Sequence, residues 1–388
     1  MTNSNGFVGQ TLAEALDKIE RVRQVRRHKF RLRDERITLS HGSGGKATHN
    51  LIEGVFAPTF SNPMLDRMED AATFAIASGS DSGQNGHNDQ NGHGGNGGPV
   101  MAFTTDTYVV NPLFFPGGDI GKLAVHGTVN DLAMAGAQPL YLSAGFILEE
   151  GFSVAELRLI VQSMADAAAE AGVAIVTGDT KVVERGKADG LFINTAGVGL
   201  VRVGWPMGQA QARAGDKVVL SGPVGDHGIA VMLAREGLAI ETDVVSDSAP
   251  LHGLVAEVIR SAGPGIHCLK DPTRGGVATS LNEIAMASEV SIALDEHAIP
   301  VRSAVRGACE ILGLDPLTIA NEGKLLMIVA PEAADAALAA MRGHALGREA
   351  AIIGEVRAEP AAMVFLRTDI GGTRVLDMLV GDPLPRIC

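Results

Sequence analysis

Cys388 is the first candidate for chemistry, because it places a thiol at the end of the chain. Its own α-carboxylate lies beside the sulfur, and a neighbouring negative charge raises the pKa of a thiol. Such a thiol is a weak nucleophile at neutral pH, but a sulfur on an arm can carry an attached group between two sites. Residues 377–385 combine apolar side chains with one glycine and two prolines, which favours an extended arm over a helix. The alternative is a frayed terminus that happens to end in cysteine.

Three aspartates form a second candidate site, because their positions suit a divalent cation. Asp106 and Asp179 each follow an apolar run that predicts a strand, and Asp131 lies on a predicted helix over residues 121–135. Ligands of α/β proteins gather at the carboxyl ends of strands, and Mg²⁺ prefers anionic oxygen ligands. One such aspartate usually caps a turn, but the three together, downstream of a glycine-rich loop, favour metal–nucleotide binding.

Two glycine-rich turns precede predicted helices. In the first, Gly44 and Gly45 allow backbone N–H groups to converge on an anion, and Lys46 adds a positive charge. The spacing is not that of the P-loop, GxxxxGK[ST], so a phosphate cradle and a flexible turn both remain open. The second turn, residues 271–276, places Arg274 where its guanidinium can bind an oxyanion.

The composition indicates a soluble α/β protein of about two domains. The chain has 388 residues, of which 48 are glycine and 46% are apolar, which suits two cores joined by many tight turns. A formal charge of −13 argues against a nucleic-acid or membrane-surface partner. No apolar run reaches transmembrane length, and the first residues lack the apolar core of a signal peptide. Three widely spaced cysteines fit neither a disulfide framework nor a zinc site, which predicts the reducing cytoplasm.

The predicted elements that must position these residues fall into two units, joined by a linker from Trp205 to Lys217. The first unit is predicted to contain strands at 71–77, 100–106, 173–179 and 191–203, with helices at 47–56, 121–135 and 153–172. The second is predicted to contain strands at 218–221, 325–329, 351–356 and 362–367, with helices at 229–236, 277–287 and 333–344. A further helix is predicted from Thr11 to about Arg33, and residues 78–99 are predicted to be a disordered insertion.

Taken together, the motifs of the chain resemble those of the HypE family, the carbamoyl dehydratases of nickel–iron hydrogenase maturation. They are SHGSGGK, TTDTYVVNPLFFPGGDIGKLAVHGTVNDLAMAGAQPLYLS, TGDTKVV, GDHG, DPTRGG, NEGK and a terminal PRIC, and they span residues 37–388. The family shares a superfamily with aminoimidazole ribonucleotide synthetase, selenophosphate synthetase and thiamine monophosphate kinase. Residues 1–36 and 78–99 depart from the family pattern, and no function is carried onto either.

The resemblance implies a PurM-like two-domain architecture that combines an α/β and an α+β domain. The expected organisation is an N-terminal extension over residues 1–36, an ATP-binding domain with a mixed sheet over 37–205, an α+β domain over 206–370 and a mobile tail over 371–388. The resemblance also implies a homodimer formed through the sheet of the first domain.

The activity that the resemblance implies uses the terminal thiol as a carrier. Cys388 is expected to receive a carbamoyl group from the carbamoyltransferase HypF, and ATP with Mg²⁺ is expected to drive its dehydration to a thiocyanate. The cyanide would then pass to iron on the HypC–HypD complex. Asp106, Asp131 and Asp179 resemble the ligands of Mg²⁺ and ATP in the family, with Asp226 as a fourth acid at the nucleotide.

Two further residues resemble the catalytic pair of the family. Glu322 resembles the catalytic glutamate, and a base near the sulfur is needed to remove the carboxamide protons. Lys181 resembles the catalytic lysine, or alternatively stabilises charge on the transferring phosphoryl group. Lys46, in the loop with Gly44 and Gly45, is expected to neutralise the phosphates.

Two other functions remain open. One is a small-molecule kinase or ATP-dependent cyclo-ligase of the same superfamily, and the terminal PRIC argues against it because such an enzyme has no use for a C-terminal cysteine. The other is a non-catalytic docking protein that offers Cys388 to a metal partner, and such a protein would need no magnesium site.

Overall fold

The computed structural model describes residues 34–76, 98–235, 243–381 and 386–388. The helix predicted from Thr11 to Arg33 and nearly all of the insertion predicted at 78–99 lie outside these residues. Among the helices that are described, none is both long and apolar enough to cross a membrane. Two large sheets and the helices packed on them make up the fold.

The strands and helices have the following bounds. The strands are β1 (Ala72–Ala75), β2 (Val100–Tyr108), β3 (Phe114–Phe115), β4 (Gly118–Asp119), β5 (Ala137–Glu149), β6 (Ala174–Val183), β7 (Leu191–Val201), β8 (Lys217–Leu220), β9 (Ile266–Lys270), β10 (Ser291–Asp295), β11 (Leu326–Val329), β12 (Ala351–Arg357), β13 (Met363–Arg367) and β14 (Thr373–Leu376). The helices are α1 (Lys46–Leu51), α2 (Ala57–Phe60), α3 (Ile120–Met134), α4 (Val154–Glu170), α5 (Asp226–Leu233), α6 (His252–Ala262), α7 (Gly276–Ala287), α8 (Ser303–Leu312) and α9 (Pro331–Gly343). A π-helical turn (Ile52–Phe56) joins α1 to α2.

The first sheet has the strand order β1-β2-β7-β5-β6 and is mixed, as predicted. Its strands pair antiparallel except β5 and β6, which are parallel and are connected through α4. Helix α3 packs against β2, β5 and β7, and α4 packs on α3. The carboxylate of Asp119 caps α3 by accepting the N–H groups of Gly121 and Lys122 at 2.7 and 3.2 Å.

Among the residues that the structure describes, helices cover only one face of the first sheet. Along β2 the side chains alternate, so that Ala102 and Thr104 are buried while Phe103 is exposed. The uncovered face is apolar in part, with Phe103, Tyr141 and Ile147 between 44 and 51% exposed. Strand β6 closes one edge of the sheet and is exposed along nearly all of its length.

The second sheet has the order β14-β13-β10-β12-β8-β11-β9, and its strands are antiparallel except for the parallel pair β10 and β13. One core lies between this sheet and α7, and a second lies where α6 and α9 cover β8, β9 and β11. Cys268 and Cys309 are buried free thiols, as predicted.

Two predicted strand ends were wrong. β2 continues past Asp106 to Tyr108, which pairs with Ile193, and β6 continues past Asp179 to Val183, which pairs with Glu149. Both aspartates therefore lie inside strands, because the neighbouring strands extend the pairing beyond the acid.

The predicted tail also begins later than residue 371. Residues Thr373–Leu376 form β14, which pairs antiparallel with β13, so the chain leaves the sheet only after Leu376. The sequence did not indicate β5, β9, β10, α6 or α8. The predicted domain boundaries at 36 and 205 stay a prediction.

Candidate active site

The last three residues of the chain are docked inside the molecule. Ile387 and Cys388 are buried in the core of the first sheet. The Val109 N–H donates to an α-carboxylate oxygen of Cys388 at 3.3 Å, and the Asn111 N–H donates to the carbonyl of Arg386 at 3.1 Å. These two bonds place the thiol beside the end of β2.

Arg274 is the residue that contacts the thiol. Its Nε–H donates to Sγ of Cys388 at 3.1 Å, and its Nη1 donates to the carbonyl of Gly42 at 2.8 Å. Burial raises the pKa of the Cys388 thiol to about 12, with Arg274 opposing the shift and with Glu322 and Asp106 adding to it. The raised pKa agrees with the prediction, but burial rather than the α-carboxylate is its main cause. The docked thiol is therefore protonated at neutral pH.

Glu322 lies in the loop before β11, with its side chain only 3% exposed. Its main chain is fixed by Asp247, whose Oδ1 accepts the Glu322 N–H at 3.0 Å, and by Asn130, whose amide donates to the Glu322 carbonyl at 3.3 Å. Burial raises the pKa of Glu322 well above its usual value, and Asp271 and Asp106 raise it further. Within the described residues Oε1 of Glu322 is buried without a hydrogen-bond partner, so this carboxyl is positioned but not satisfied.

Further acids crowd the same region. Oδ2 of Asp131 accepts a hydrogen bond from Thr104 at 2.8 Å, and burial followed by repulsion from Asp271 and Asp106 raises the pKa of Asp131. Burial and the neighbouring Asp70 raise the pKa of Asp271 to about 7. A cation placed among these carboxyls would relieve their repulsion, so their chemistry fits Mg²⁺. In the part of the chain that the structure describes, no three acidic, His or Cys side chains are assembled as a ligand set.

Three motifs of the second sheet meet at Asn321. Its Oδ1 accepts the Gly225 N–H at 2.8 Å, and its Nδ2 donates to the carbonyl of Pro272 at 3.0 Å. These bonds join the GDHG, DPTRGG and NEGK motifs. They hold Glu322 and Arg274, which neighbour Asn321 and Pro272 in sequence, in one place.

The glycine-rich loop contacts both Arg274 and the arm that leads to the C-terminus. Gly44 has φ of +75°, and a Cβ on it would lie 2.6 Å from the Cβ of Arg274. A Cβ on Gly45 would lie 2.2 Å from the carbonyl oxygen of Leu379. The Lys46 N–H donates to that same oxygen, at 3.1 Å, and its ammonium donates to Asp377 at 2.7 Å. Glycine is therefore needed for close approach, and Lys46 here binds a carboxylate.

Asp226 precedes His227 in sequence. It is buried at the N-terminus of α5, and its Oδ2 accepts a hydrogen bond from Nε of Arg302 at 3.0 Å. Burial raises its pKa, and the charges that modify the shift belong to Arg302, Asp247 and Lys324. These residues line a cavity of about 600 Å³. The acid predicted to bind nucleotide thus forms an ion pair with Arg302 at the edge of this cavity.

Asp179 and Lys181 are also separated from Cys388 within one chain. Their side chains are each 70% exposed on β6, where Nζ of Lys181 lies 2.7 Å from Oδ2 of Asp179. Two strands, β7 and β5, lie between β2 and β6, which separates Asp106 from Asp179 by about 14 Å. Asp179 pairs in register with Gly145, on the uncovered face that also carries Ile147, whereas Asp106 lies on the helix-covered face. A single chain therefore does not assemble the predicted metal set of Asp106, Asp131 and Asp179.

Some residues of this region were not predicted. Asp271 lies inside the DPTRGG motif, so the motif was the available signal, and Arg274 was expected to bind an oxyanion but not to contact the thiol. Asp70 and Asp247 lie outside every motif, and no local pattern distinguishes them from solvated loop acids.

Comparison with known proteins gives consistent matches over both sheets. The family model for the N-terminal domain of AIR synthase related proteins matches residues 93–201, and the model for the C-terminal domain matches residues 213–366. The carbamoyl dehydratase HypE of Bradyrhizobium diazoefficiens is 56% identical over 360 residues, which cover 93% of this chain and 98% of the relative.

Solved structures give the same result. A crystal structure of a HypE–HypF complex aligns with a TM-score of 0.75 and 47% identity, covering 85% of this chain and 99% of the matched chain. A crystal structure of the hydrogenase maturation protein HypE in complex with ATP aligns with a TM-score of 0.72 and 48% identity, covering 91% of this chain and all of the matched chain. The predicted PurM-like pairing of two domains is confirmed by these matches.

Proposed function

The chain belongs to the family of HypE carbamoyl dehydratases, and on that premise we propose that it dehydrates a carboxamide on its own Cys388 to a thiocyanate, with ATP as phosphoryl donor. The single observation that carries this proposal is the position of Cys388. Its thiol is buried, bonded to Arg274 and within the electrostatic influence of Glu322. A tail without chemical function has no physical reason to bury its terminal thiol among charged groups.

The chemistry assigns distinct roles to these residues. A carboxamide oxygen leaves only after phosphorylation, and the relative solved with ATP supports ATP as the donor. The guanidinium of Arg274, which contacts Sγ, is placed to bind the oxygen of a carboxamide on that sulfur. One N–H proton leaves as the oxygen is phosphorylated, and the second leaves as phosphate departs and the C≡N bond forms. Glu322 is the base that we assign to both transfers, passing the first proton to solvent before it accepts the second.

Magnesium fits the acids near Glu322 better than it fits the predicted set. Asp106, Asp131 and Asp271 are the residues that would hold it, because burial and then repulsion from neighbouring carboxylates raise the pKa values of Asp131 and Asp271. The ion would supply positive charge for the phosphates of ATP. The same charge would help Glu322 to ionise, which a base requires.

The uncovered face of the first sheet supports the homodimer. Phe103, Tyr141 and Ile147 are large apolar side chains left partly exposed on this face, and no other described strand pairs with the outer edge of β6. We propose that a second copy of the chain covers this face. Asp179 and Lys181 would then act at the subunit contact rather than beside the Cys388 of their own chain.

The remaining partners are proposed from the family. HypF, seen with a HypE relative, is the proposed carbamoyl donor, and the HypC–HypD complex is the proposed acceptor of cyanide. The free thiols of all three cysteines are in keeping with a reducing cytoplasm. A small-molecule kinase or a docking protein would leave the contact between Arg274 and Cys388 without a purpose.

The experiment that tests the function is intact-mass measurement of the protein after incubation with HypF, carbamoyl phosphate and ATP. We expect a carbamoyl gain followed by loss of one water, with both changes on the C-terminal peptide. The Cys388→Ala variant should bind ATP but show neither change. A carbamoyl adduct that survives ATP unchanged, or a thiocyanate on the Ala variant, would contradict the proposal.

A further inference from the structure

A chain of three hydrogen bonds ends on the carbonyl of Ile387, next to the thiol. The Ser248 N–H donates to Oγ of Ser246 at 3.2 Å, and that oxygen lies 2.8 Å from Nδ1 of His227. Nε2 of His227 lies 3.0 Å from the carbonyl oxygen of Ile387. Because a carbonyl can only accept, Nε2 must carry the proton. Nδ1 of the neutral ring then accepts the hydroxyl hydrogen of Ser246.

The surroundings of His227 keep this arrangement fixed. The ring is fully buried and meets Phe115 edge-on, with 5.5 Å between ring centroids. Burial lowers the pKa of His227, and Asp247 opposes that shift. A neutral ring with one defined tautomer thus presents one N–H donor to the arm.

Apart from the N–H···S contact of Arg274 with the thiol, in which sulfur is a weak acceptor, the other side-chain contacts of the docked residues are exposed. Nη2 of Arg235 donates to the carbonyl of Arg386 at 3.1 Å, and the guanidinium of Arg386 contacts Asp189, which is half exposed. Exposed ion pairs contribute little, whereas a buried acceptor without its donor is strongly disfavoured. Arg386 also has φ of +54°, a left-handed conformation that its contacts must maintain. The buried bond from His227 is therefore the side-chain contact best able to control docking.

We propose that His227, oriented by Ser246, is the positioning residue that holds the C-terminal residues in the docked pose. It thereby sets the equilibrium of the Cys388 thiol between the buried site and the surface. The docking does not depend on the reaction, but its link to dehydration rests on the proposed function. A docked Cys388 is out of reach of an external carbamoyl donor. Loading therefore needs the undocked arm, and dehydration needs the docked one.

Alkylation of Cys388 by iodoacetamide tests the docking directly, without HypF or ATP. We expect His227→Phe, which keeps a ring but removes the donor, to raise the alkylation rate by about ten-fold, the size of one lost buried hydrogen bond. His227→Gln, whose amide can donate from a similar position, should restore most of the protection. Ser246→Ala should raise the alkylation rate by less, because the His227 ring remains but the hydroxyl that fixes its tautomer is lost.

Cys268 and Cys309 serve as internal folding controls, because both are buried outside the arm. They should stay unmodified in every variant, and a variant in which they react has unfolded. If His227→Phe unfolds, Ser246→Ala still decides the question. Unchanged alkylation of Cys388 in the folded variants would overturn the proposal.

The pH dependence separates docking from a general loss of stability. The groups that face the docked thiol are Arg274, Glu322 and Asp106. In the wild type the alkylation rate should keep rising above the usual pKa of a thiol, since each docked molecule must release its arm before it ionises. In His227→Phe the rate should level off near that usual pKa. The same pH profile of alkylation in the wild type and in His227→Phe would contradict the role of His227 in docking.

A single-turnover experiment connects docking to the reaction. The carbamoylated His227→Phe variant should lose water on ATP addition more slowly than the wild type, by the ratio of the docked fractions that the two alkylation profiles give. Its loading by HypF should be at least as fast. A wild type that never loses water would refute the proposed function and leave the alkylation result standing, whereas a variant rate that does not follow the docked fraction would refute the role of His227 alone.

Discussion

Glu322 is a carboxyl whose environment at the site strongly opposes ionisation. It is buried, its pKa is raised well above the usual value, and Oε1 has no partner among the described residues. Its main chain is nevertheless held by Asp247, whose second carboxylate oxygen binds Lys324 at 2.8 Å. The Glu322 carboxyl is therefore held in one place but is not stabilised as a carboxylate. Such a group suits a base that ionises only when positive charge is brought close to it.

The variant Glu322→Gln should fold and take up the carbamoyl group but convert it at least about 100-fold more slowly, the usual contribution of a general base. Intact-mass measurement after ATP addition would follow the loss of water. Glu332→Gln, an exposed position on α9, is the matched control and should behave as the wild type does. Normal turnover by Glu322→Gln would remove Glu322 from the role of base.

Asp271 leads to a prediction about stability and pH. Its pKa in the folded state is about 7, against 3.8 for the ordinary group, so folding favours its protonated form. A carboxyl whose pKa is raised on folding contributes to the free energy of unfolding. That contribution is full at low pH and is lost as the pH rises through about 7. Asp271→Asn should therefore raise the melting temperature more at about pH 8 than at about pH 5. Thermal unfolding at the two pH values measures this, and an equal shift at both would show that Asp271 is ionised throughout.

Asn130 on helix α3 makes hydrogen bonds that connect the two sheets. Oδ1 of Asn130 accepts the Leu251 N–H at 2.7 Å, and its Nδ2 donates to the carbonyls of Ala249 and Glu322 at 3.1 and 3.3 Å. The next residue, Asp131, faces β2 through its bond to Thr104. One buried helix therefore fixes the distance between the acids of the first sheet and the base of the second.

A charged side chain placed on the uncovered face of the first sheet should dissociate the proposed dimer. Tyr141 is 51% exposed on β5, and Tyr141→Arg would bury an unpaired cation in the proposed subunit contact. We expect a shift from dimer to monomer in sedimentation velocity. Ile311→Arg, at a position 70% exposed on α8, controls for the added charge and should stay dimeric. A wild type that is monomeric at all concentrations would exclude the dimer itself.

At the scale of the whole molecule, the active region lies where the two domains and the C-terminus meet. The thiol of Cys388 comes from the end of the chain, and Arg274 and Glu322 come from loops of the second sheet. Asp106 lies on β2 of the first sheet, and Asp131 lies on α3, which packs against that sheet. Any segment that does not bear on this junction should be dispensable for the reaction.

Residues 80–97 are such a segment, and their deletion should leave dehydration within about two-fold of the wild type, since a change in loop length alone has a small effect. β1 and β2 pair up to Ala75 and Val100, and the Ile76 N–H donates to the carbonyl of Pro99 at 3.0 Å, so a short turn can replace the deleted residues. The single-turnover assay measures the outcome. Lost activity in a folded deletion variant would show that these residues contribute to the site.

The sequence by itself determined the types of most elements and the chemistry of the terminus. Apolar periodicity is local, so helices such as α4 and α7 and strands such as β11 and β12 were predicted close to their observed bounds. Ser153 was identified as the start of α4 in the same way, and its hydroxyl caps that helix. The order of the motifs was sufficient to indicate the family and its fold.

Tertiary structure alone decided which of the predicted residues meet. Asp106 and Asp179 look equivalent in sequence, but strand alternation and the two intervening strands place them on opposite faces. The partners of Glu322 and Cys388, such as Asp247 and His227, are distant in sequence and follow no local pattern. The docking of Cys388 depends on a pocket assembled from both domains, which no stretch of the chain encodes on its own.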